Sequence, residues 1–265
     1  VDVGTLHKSG AALAWIAAFK GQLGALRLLA ARGADLRAAV RGQAPLDVAR
    51  ADFLGVDLVV GALLALDTAA DFKRIGIIEN AMNYFRENLE SISRDITLQM
   101  GKPIKEARNE VRGILHRSET LCGLAGDALS DISLPKLEGF QRFIKREPLG
   151  VVLDIAAWNY PLLIAVNVVV PAVLAGNSVA IKHSSLTPLC AIAFEEAFKY
   201  ASAPDGLVTA LIMDHATTEK AIESGLVDHV AFTGSTGGGR RVQISASSQF
   251  IDVGLELGGK DPAYI

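Results

Sequence analysis

Along residues 71–100 the apolar positions recur at helical spacing. Ile75, Ile78, Met82 and Phe85 fall on one side of a 3.6-residue turn, which predicts long helices. Met100-Gly101-Lys102-Pro103 interrupts the pattern. It resumes over 105–129 with Val111, Ile114, Leu115 and Leu121 inward. Residues 140–147 alternate as a strand does, and Pro148-Leu149-Gly150 closes them with a turn. From residue 151 the text changes: short apolar runs at 151–155, 179–182, 207–212, 229–233 and 251–257 alternate with helical stretches. Strands buried on both faces and separated by helices make βαβ units and a parallel sheet. The stretch 162–181 is almost wholly apolar and has the length of a membrane span. Pro171 is expected to break a helix there, and Gly176-Asn177 signals a turn. The stretch therefore reads as a buried helix, a turn and a buried strand over 178–182, with no membrane span.

Residues 9–66 are rich in Ala and Leu and contain an imperfect repeat. Gly10 and Gly42 open matching stretches, and Ala17 and Ala49 occupy equivalent places. The offset is close to thirty-three residues, and the segment resembles two ankyrin repeats. The resemblance implies two helix pairs, with Gly33 supplying a positive φ at a helix end. Leu13-Ala14-Trp15 departs from the Pro-Leu-His usual in such units, and extra residues separate Ala49 from Gly55. Two units are also few, since each buries its apolar face only on neighbours. A protein-binding face and an inert helical extension are the two readings of this segment. The expected division is 1–67, ankyrin-like, and 68–265.

Of the 265 residues, half are apolar and 21% charged, so a sizeable core is available. The net charge of -3 and the brevity of Arg240-Arg241 argue against nucleic acid. Cys122 and Cys190 form neither a CxxC pair nor a zinc spacing. They read as buried small apolar residues of a cytoplasmic protein. Residues 1–9 carry Asp2 and no apolar stretch, so no signal peptide is expected.

Chemistry is expected at the carboxyl ends of the strands, where open α/β sheets bind ligands. Four clusters fall there. In Ala157-Trp158-Asn159-Tyr160-Pro161, Asn159 either donates to an oxyanion or satisfies its own turn. Lys182, ahead of His183-Ser184-Ser185, suits ribose hydroxyls or a phosphate unless it is a plain surface lysine. Thr233-Gly234-Ser235-Thr236-Gly237-Gly238-Gly239 follows a strand and opens a helix, which suits a pyrophosphate; a flexible loop is the bland alternative. Ser235 or Thr236 is placed to cap that helix or bind the phosphate. Glu256, in Leu255-Glu256-Leu257-Gly258-Gly259-Lys260, is costly to bury, and that cost favours taking up a proton as a general base does. Exposure at a strand end is its bland alternative.

Each cluster alone is weak, but their order and spacing closely resemble the aldehyde dehydrogenase superfamily over roughly residues 70–265. Gln99-Met100-Gly101-Lys102-Pro103 with Glu106-Ala107 is similar to its N-terminal helical region. The resemblance implies an α/β fold with a Rossmann-like parallel sheet flanked by helices, a cofactor NAD or NADP, and an aldehyde substrate. It makes Asn159 the oxyanion amide and Glu256 the base that activates water. Ile155, Trp158, Lys182, Ser185, Gly234, Ser235 and Leu257 would bind the cofactor. In the implied reaction a cysteine thiolate attacks the aldehyde, hydride leaves to nicotinamide, and water hydrolyses the thioester.

Several departures qualify those expectations. The family cysteine follows the Glu-Leu-Gly-Gly-Lys motif by a few tens of residues, whereas Cys122 and Cys190 precede it and Ile265 lies five residues past Lys260. The chain therefore reads as the cofactor-binding part of the enzyme, cut before the nucleophile and inactive alone. A non-catalytic nucleotide-binding or ankyrin-type scaffold protein is the alternative. Ala157 and His183 stand where the family often has proline. Gly237-Gly238 replaces bulkier residues and should loosen the phosphate helix. Ser185 replaces a glutamate frequent in NAD-preferring members; without that carboxylate NADP is expected to be tolerated or preferred. Residues 140–147 resemble part of the family's oligomerisation sheet, so oligomerisation is a further expectation.

Overall fold

Residues 71–259 are described by a computed structural model; the ankyrin-like segment and Lys260 lie outside them. Three helices come first: α1 (Asp71–Glu87), α2 (Leu89–Met100) and α3 (Ile104–Leu129). The break between α1 and α2 falls at Asn88, whose amide donates to the Tyr84 carbonyl at 2.9 Å. Gly101 ends α2 in the left-handed region, with φ 78°. Ile78, Met82, Phe85, Val111 and Ile114 are buried, as the spacing requires, with Leu115 and Leu121 partly buried against them.

A two-stranded antiparallel hairpin follows, β1 (Ile132–Ser133) with β2 (Phe143–Ile144). The strand expected over 140–147 is thus only two residues long. Its alternation buries neither face: Phe143 and Ile144 are each 51% exposed.

The rest is β3 (Val151–Ala156), α4 (Pro161–Leu174), β4 (Ser178–His183), α5 (Pro188–Tyr200), β5 (Val208–Ala210), α6 (His215–Glu223), β6 (His229–Gly234), α7 (Thr236–Ser247) and β7 (Asp252–Leu257). The five strands β3 to β7 pair in parallel in the order β5-β4-β3-β6-β7. From β3 the chain winds first toward β4 and β5, then returns to β6 on the other side. That reversal places a crevice at the carboxyl ends of β3 and β6.

Both central strands, β3 and β4, are buried at all six positions. Val152, Ala156, Val179 and Ile181 face a core that includes Phe85, Phe194 and Phe198. Val151, Leu153, Ile155 and Ala180 face a second core with Ile222, Val242 and Ala246. Successive residues alternate between the two cores, which is why these runs read as continuously apolar. Strand β5 covers only three residues of the expected 207–212, and β7 is an exposed edge.

Pro171 does not end its helix. It sits in the last turn of α4, where it removes a single backbone bond, to the carbonyl of Asn167; Asn167 is exposed to water. Beyond Leu174, Gly176 N and Asn177 N donate back to Val173 O and Ala172 O, each at 2.9 Å. No helix among the described residues is long and apolar enough to cross a membrane.

One turn fixes the entry to the sheet. Gly150 has φ 129°, and a Cβ there would run into the Asp228 carboxylate. That carboxylate accepts from Val151 N at 2.8 Å and so ties the start of β3 to the segment leading into β6. Asn177 secures the same turn by accepting from Leu149 N and Gly150 N.

Candidate functional site

Lys182, Ile155, Phe232 and Leu255 stand in register across four strands. At and just beyond this row lies a cleft of about 780 Å³, within the usual range of roughly 300–1,000 Å³ for ligand sites. Its lining includes Ile155, Trp158, Asn159, Lys182, Ser185, Gly234, Ser235, Glu256 and Leu257; Thr236, the other candidate of the glycine-rich segment, is not part of it.

Lys182, next to last in β4, is only 4% exposed, so the plain surface lysine is excluded. Burial pushes its amine below the ordinary lysine range, and the Asp214 carboxylate partly opposes that shift. Ser185, on the loop after β4, is exposed.

The glycine-rich segment is an ordered helix start. Ser235 is the N-cap of α7, its Oγ accepting from Gly238 N at 3.1 Å. The Thr236 and Gly237 amides precede the first bond of the helix ladder, from Gly239 N to Ser235 O, and Gly234, Ser235 and Gly238 line the cleft. The Phe232 ring explains two of the glycines: a Cβ on Gly234 or Gly238 would lie 2.7 or 2.8 Å from its Cζ. A Cβ on Gly239 would lie 2.5 Å from Leu257 Cδ2. Only Gly237 of this run meets nothing, so the loosening expected of Gly237-Gly238 is confined to that position; at Gly238 the missing side chain makes room for the ring.

Trp158 and Asn159 sit exposed on the loop between β3 and α4. No hydrogen bond ties the Asn159 amide to its own turn among the described residues. The loop is instead held from behind. Glu110 accepts from Leu162 N at 2.9 Å and Leu163 N at 3.2 Å, at the amino end of α4. Its other oxygen is ion-paired with Lys102, and the Lys102 amine lies 3.9 Å from the centre of the Tyr160 ring. Glu110 was not singled out from the sequence. Its signal was a lone carboxylate on the buried stripe Ala107, Val111, Ile114 of α3.

Glu256 is exposed, so the burial expected of it is not found. It lies on the edge strand, with β6 on one side only. Sequence reasoning also missed His215, Thr218 and Glu219 of α6 and Arg241 of α7, which line the cleft. They come from helix faces without a local signature.

Neither cysteine lines the cleft. The Cys190 thiol is buried and pushed up to about 12. Cys122 is only half-buried, against the expectation, and is also raised, mainly by desolvation.

His183 is buried behind the site, with Nε2 2.9 Å from the Pro161 carbonyl oxygen and Nδ1 unpartnered. Burial lowers it from 6.5 to about 4. The unfolded chain therefore binds more protons between pH 6.5 and 4, and this group's contribution to stability falls as pH drops through that window. Asp154, on the same face of the sheet, acts with the opposite sign, because burial raises its carboxyl well above 3.8. Comparing wild type with His183→Gln isolates the histidine. The variant is expected to lose about 2–3 kcal/mol less between those pH values, read from urea unfolding at each. Equal losses in the two proteins would refute the assignment.

A five-stranded parallel sheet flanked by helices, with a cleft at its reversal point, is a Rossmann-like α/β architecture. The aldehyde dehydrogenase family profile matches residues 64–265, and the chain belongs to that family. It is 33% identical over 197 residues to 3,6-anhydro-alpha-L-galactose dehydrogenase of Streptomyces coelicolor, covering 72% of this chain and 39% of that protein. It is 35% identical over 194 residues to the NADP(+) succinate-semialdehyde dehydrogenase of Deinococcus radiodurans, covering 73% and 40%. The chain thus spans about two-fifths of the length of these curated relatives. Among solved structures, succinic semialdehyde dehydrogenase of Streptococcus pyogenes in complex with NADP+ superposes with a TM-score of 0.74 at 27% identity, covering 78% of this chain and 46% of that one.

Proposed function

We propose that the cleft binds NAD or NADP and that residues 68–265 are the cofactor-binding part of an enzyme oxidising an aldehyde to a carboxylic acid. The observation that carries this is the convergence of the buried Lys182 side chain and the Ser235-capped amino end of α7 on one cleft. The residues fit such a cofactor: Lys182 and Ser185 toward its ribose, Gly234 and Ser235 at its phosphates, Ile155, Trp158 and Leu257 along its rings. Relatives described with NADP+ support the reading. When bound, the oxidised nicotinamide would supply a hydride acceptor.

The chain's own residues would orient and polarise. The Asn159 amide would donate to an oxygen of the substrate. Glu256 would take a proton from water once a neighbour along β7 shields it. Neither cysteine supplies a thiolate to the cleft, so the 265 residues alone are expected not to turn over an aldehyde.

We also propose the division near residue 67, with the ankyrin-like segment, as an extension, before it. The family match beginning at residue 64 supports the boundary. Exposed Ile132, Phe140, Phe143 and Ile144 around the β1–β2 hairpin support association between copies.

Fluorescence titration of the whole chain with NADPH and with NADH tests the cofactor reading. Saturable binding is expected, with NADPH at least as tight as NADH because Ser185 carries no charge. Much tighter NADH binding would refute the tolerance of a 2′-phosphate. Binding of neither cofactor to the folded chain would refute the reading.

A further inference from the structure

Two charged side chains that the roles above leave unused line the same cleft. Glu219 on α6 and Arg241 on α7 form an ion pair, Nε to Oε1, at 2.7 Å. Their placement relates them to Lys182. Asp214, the N-cap of α6, acts electrostatically on the Lys182 amine. From that cap, His215, Thr218 and Glu219 continue along α6 into the cleft. Arg241 lies six residues beyond Ser235, the cap of α7, a rise of roughly 9 Å along the helix. The pair therefore lines the same cleft as Lys182 and Ser235, on the two helices whose caps are Asp214 and Ser235.

Charge bookkeeping narrows its role. Among the described lining residues the lysine and arginine side chains are Lys182 and Arg241, and the carboxylates are Glu219 and Glu256. Among the described lining residues, Lys182 and Arg241 are the lysine and arginine such a further ligand phosphate would meet. Arg241 is 60% exposed and Glu219 28%, so the guanidinium is the partner freer to turn. A guanidinium engages phosphate oxygens in a fork, and a carboxylate beside it repels the same oxygens.

We propose that the Glu219–Arg241 pair sets the discrimination between NADP and NAD: Arg241 exchanges Glu219 for a 2′-phosphate on the adenine ribose, and Glu219 opposes that exchange. The inference rests on the cofactor reading above. An ion pair this exposed adds little to stability, so neutral variants of either residue fold.

The test is titration of the full 265-residue chain, its Arg241→Gln variant and its Glu219→Gln variant with NADPH and NADH. Arg241→Gln is expected to weaken NADPH about tenfold, the scale of one charge pair at intermediate dielectric, and to leave NADH within about twofold. Glu219→Gln is expected to tighten NADPH by several-fold without moving NADH, and high salt should shrink both effects. An equal change for both cofactors would mean that the pair only joins α6 to α7, and the inference fails. Unchanged ratios in both variants, with normal wild-type binding, defeat this inference alone. A folded wild type that binds neither cofactor defeats the cofactor reading, and this inference falls with it.

Discussion

Glu110→Ala is expected to destabilise the chain by about 3–5 kcal/mol, the cost of stripping the partner from a buried charge. Both residues of the pair are nearly inaccessible, with side chains 9% exposed for Lys102 and 0% for Glu110. Removing the carboxylate leaves the Lys102 ammonium held only by the face of Tyr160. It also leaves the Leu162 and Leu163 amides without an acceptor at the start of α4. The loop that carries Trp158 and Asn159 ends at that same point. A Lys102→Met, Glu110→Leu double variant should recover most of the loss, because apolar replacement of a buried pair is often neutral. Urea unfolding of the single and double variants as a cycle measures the coupling. A loss below about 1 kcal/mol for Glu110→Ala would mean that the pair behaves like an exposed one.

Lys182→Met is expected to separate binding from stability. Cofactor affinity should fall by roughly ten- to a hundredfold, since the amine would make charge-assisted hydrogen bonds to the ribose. Stability at neutral pH should rise. Burial lowers the folded amine below 10.5, so the unfolded chain holds its proton more tightly, and the cost of that buried charge is present at pH 7. It fades only as pH climbs toward the unfolded value. Methionine fills the space without the charge. A thermal melt and a titration on one preparation check both halves. A variant that melts lower and also binds weakly would mark Lys182 as part of the packing, with no separate cost set by function.

These two residues also show what could be read in advance. Lys182 was legible because a strand end is a local feature: an apolar run stops, and a polar residue follows at the place where parallel sheets gather ligands. The same logic found Asn159, Ser235 and Glu256, and the shared register of β4, β3, β6 and β7 brought their surroundings together. Glu110 escaped because its role is tertiary, made with backbone fifty-two residues away. Arg241 and Glu219 escaped for the same reason, across the contact of α6 with α7. The misjudged elements have physical causes too. Alternation over 140–147 is real, but strand length depends on a partner, and β1 offers two residues. Pro171 reads as a breaker, yet one lost backbone bond in a last turn is tolerated when the carbonyl can reach water. The exposure of Glu256 follows from strand order, which its own sequence does not contain.

Calorimetric titration of the 265-residue chain with NADPH is the most direct test of the central claim that this cleft holds a dinucleotide. One-site saturation is expected, weakened at least tenfold in Lys182→Met. A folded chain that gives no saturable heat, or binding that Lys182→Met leaves unchanged, would contradict it.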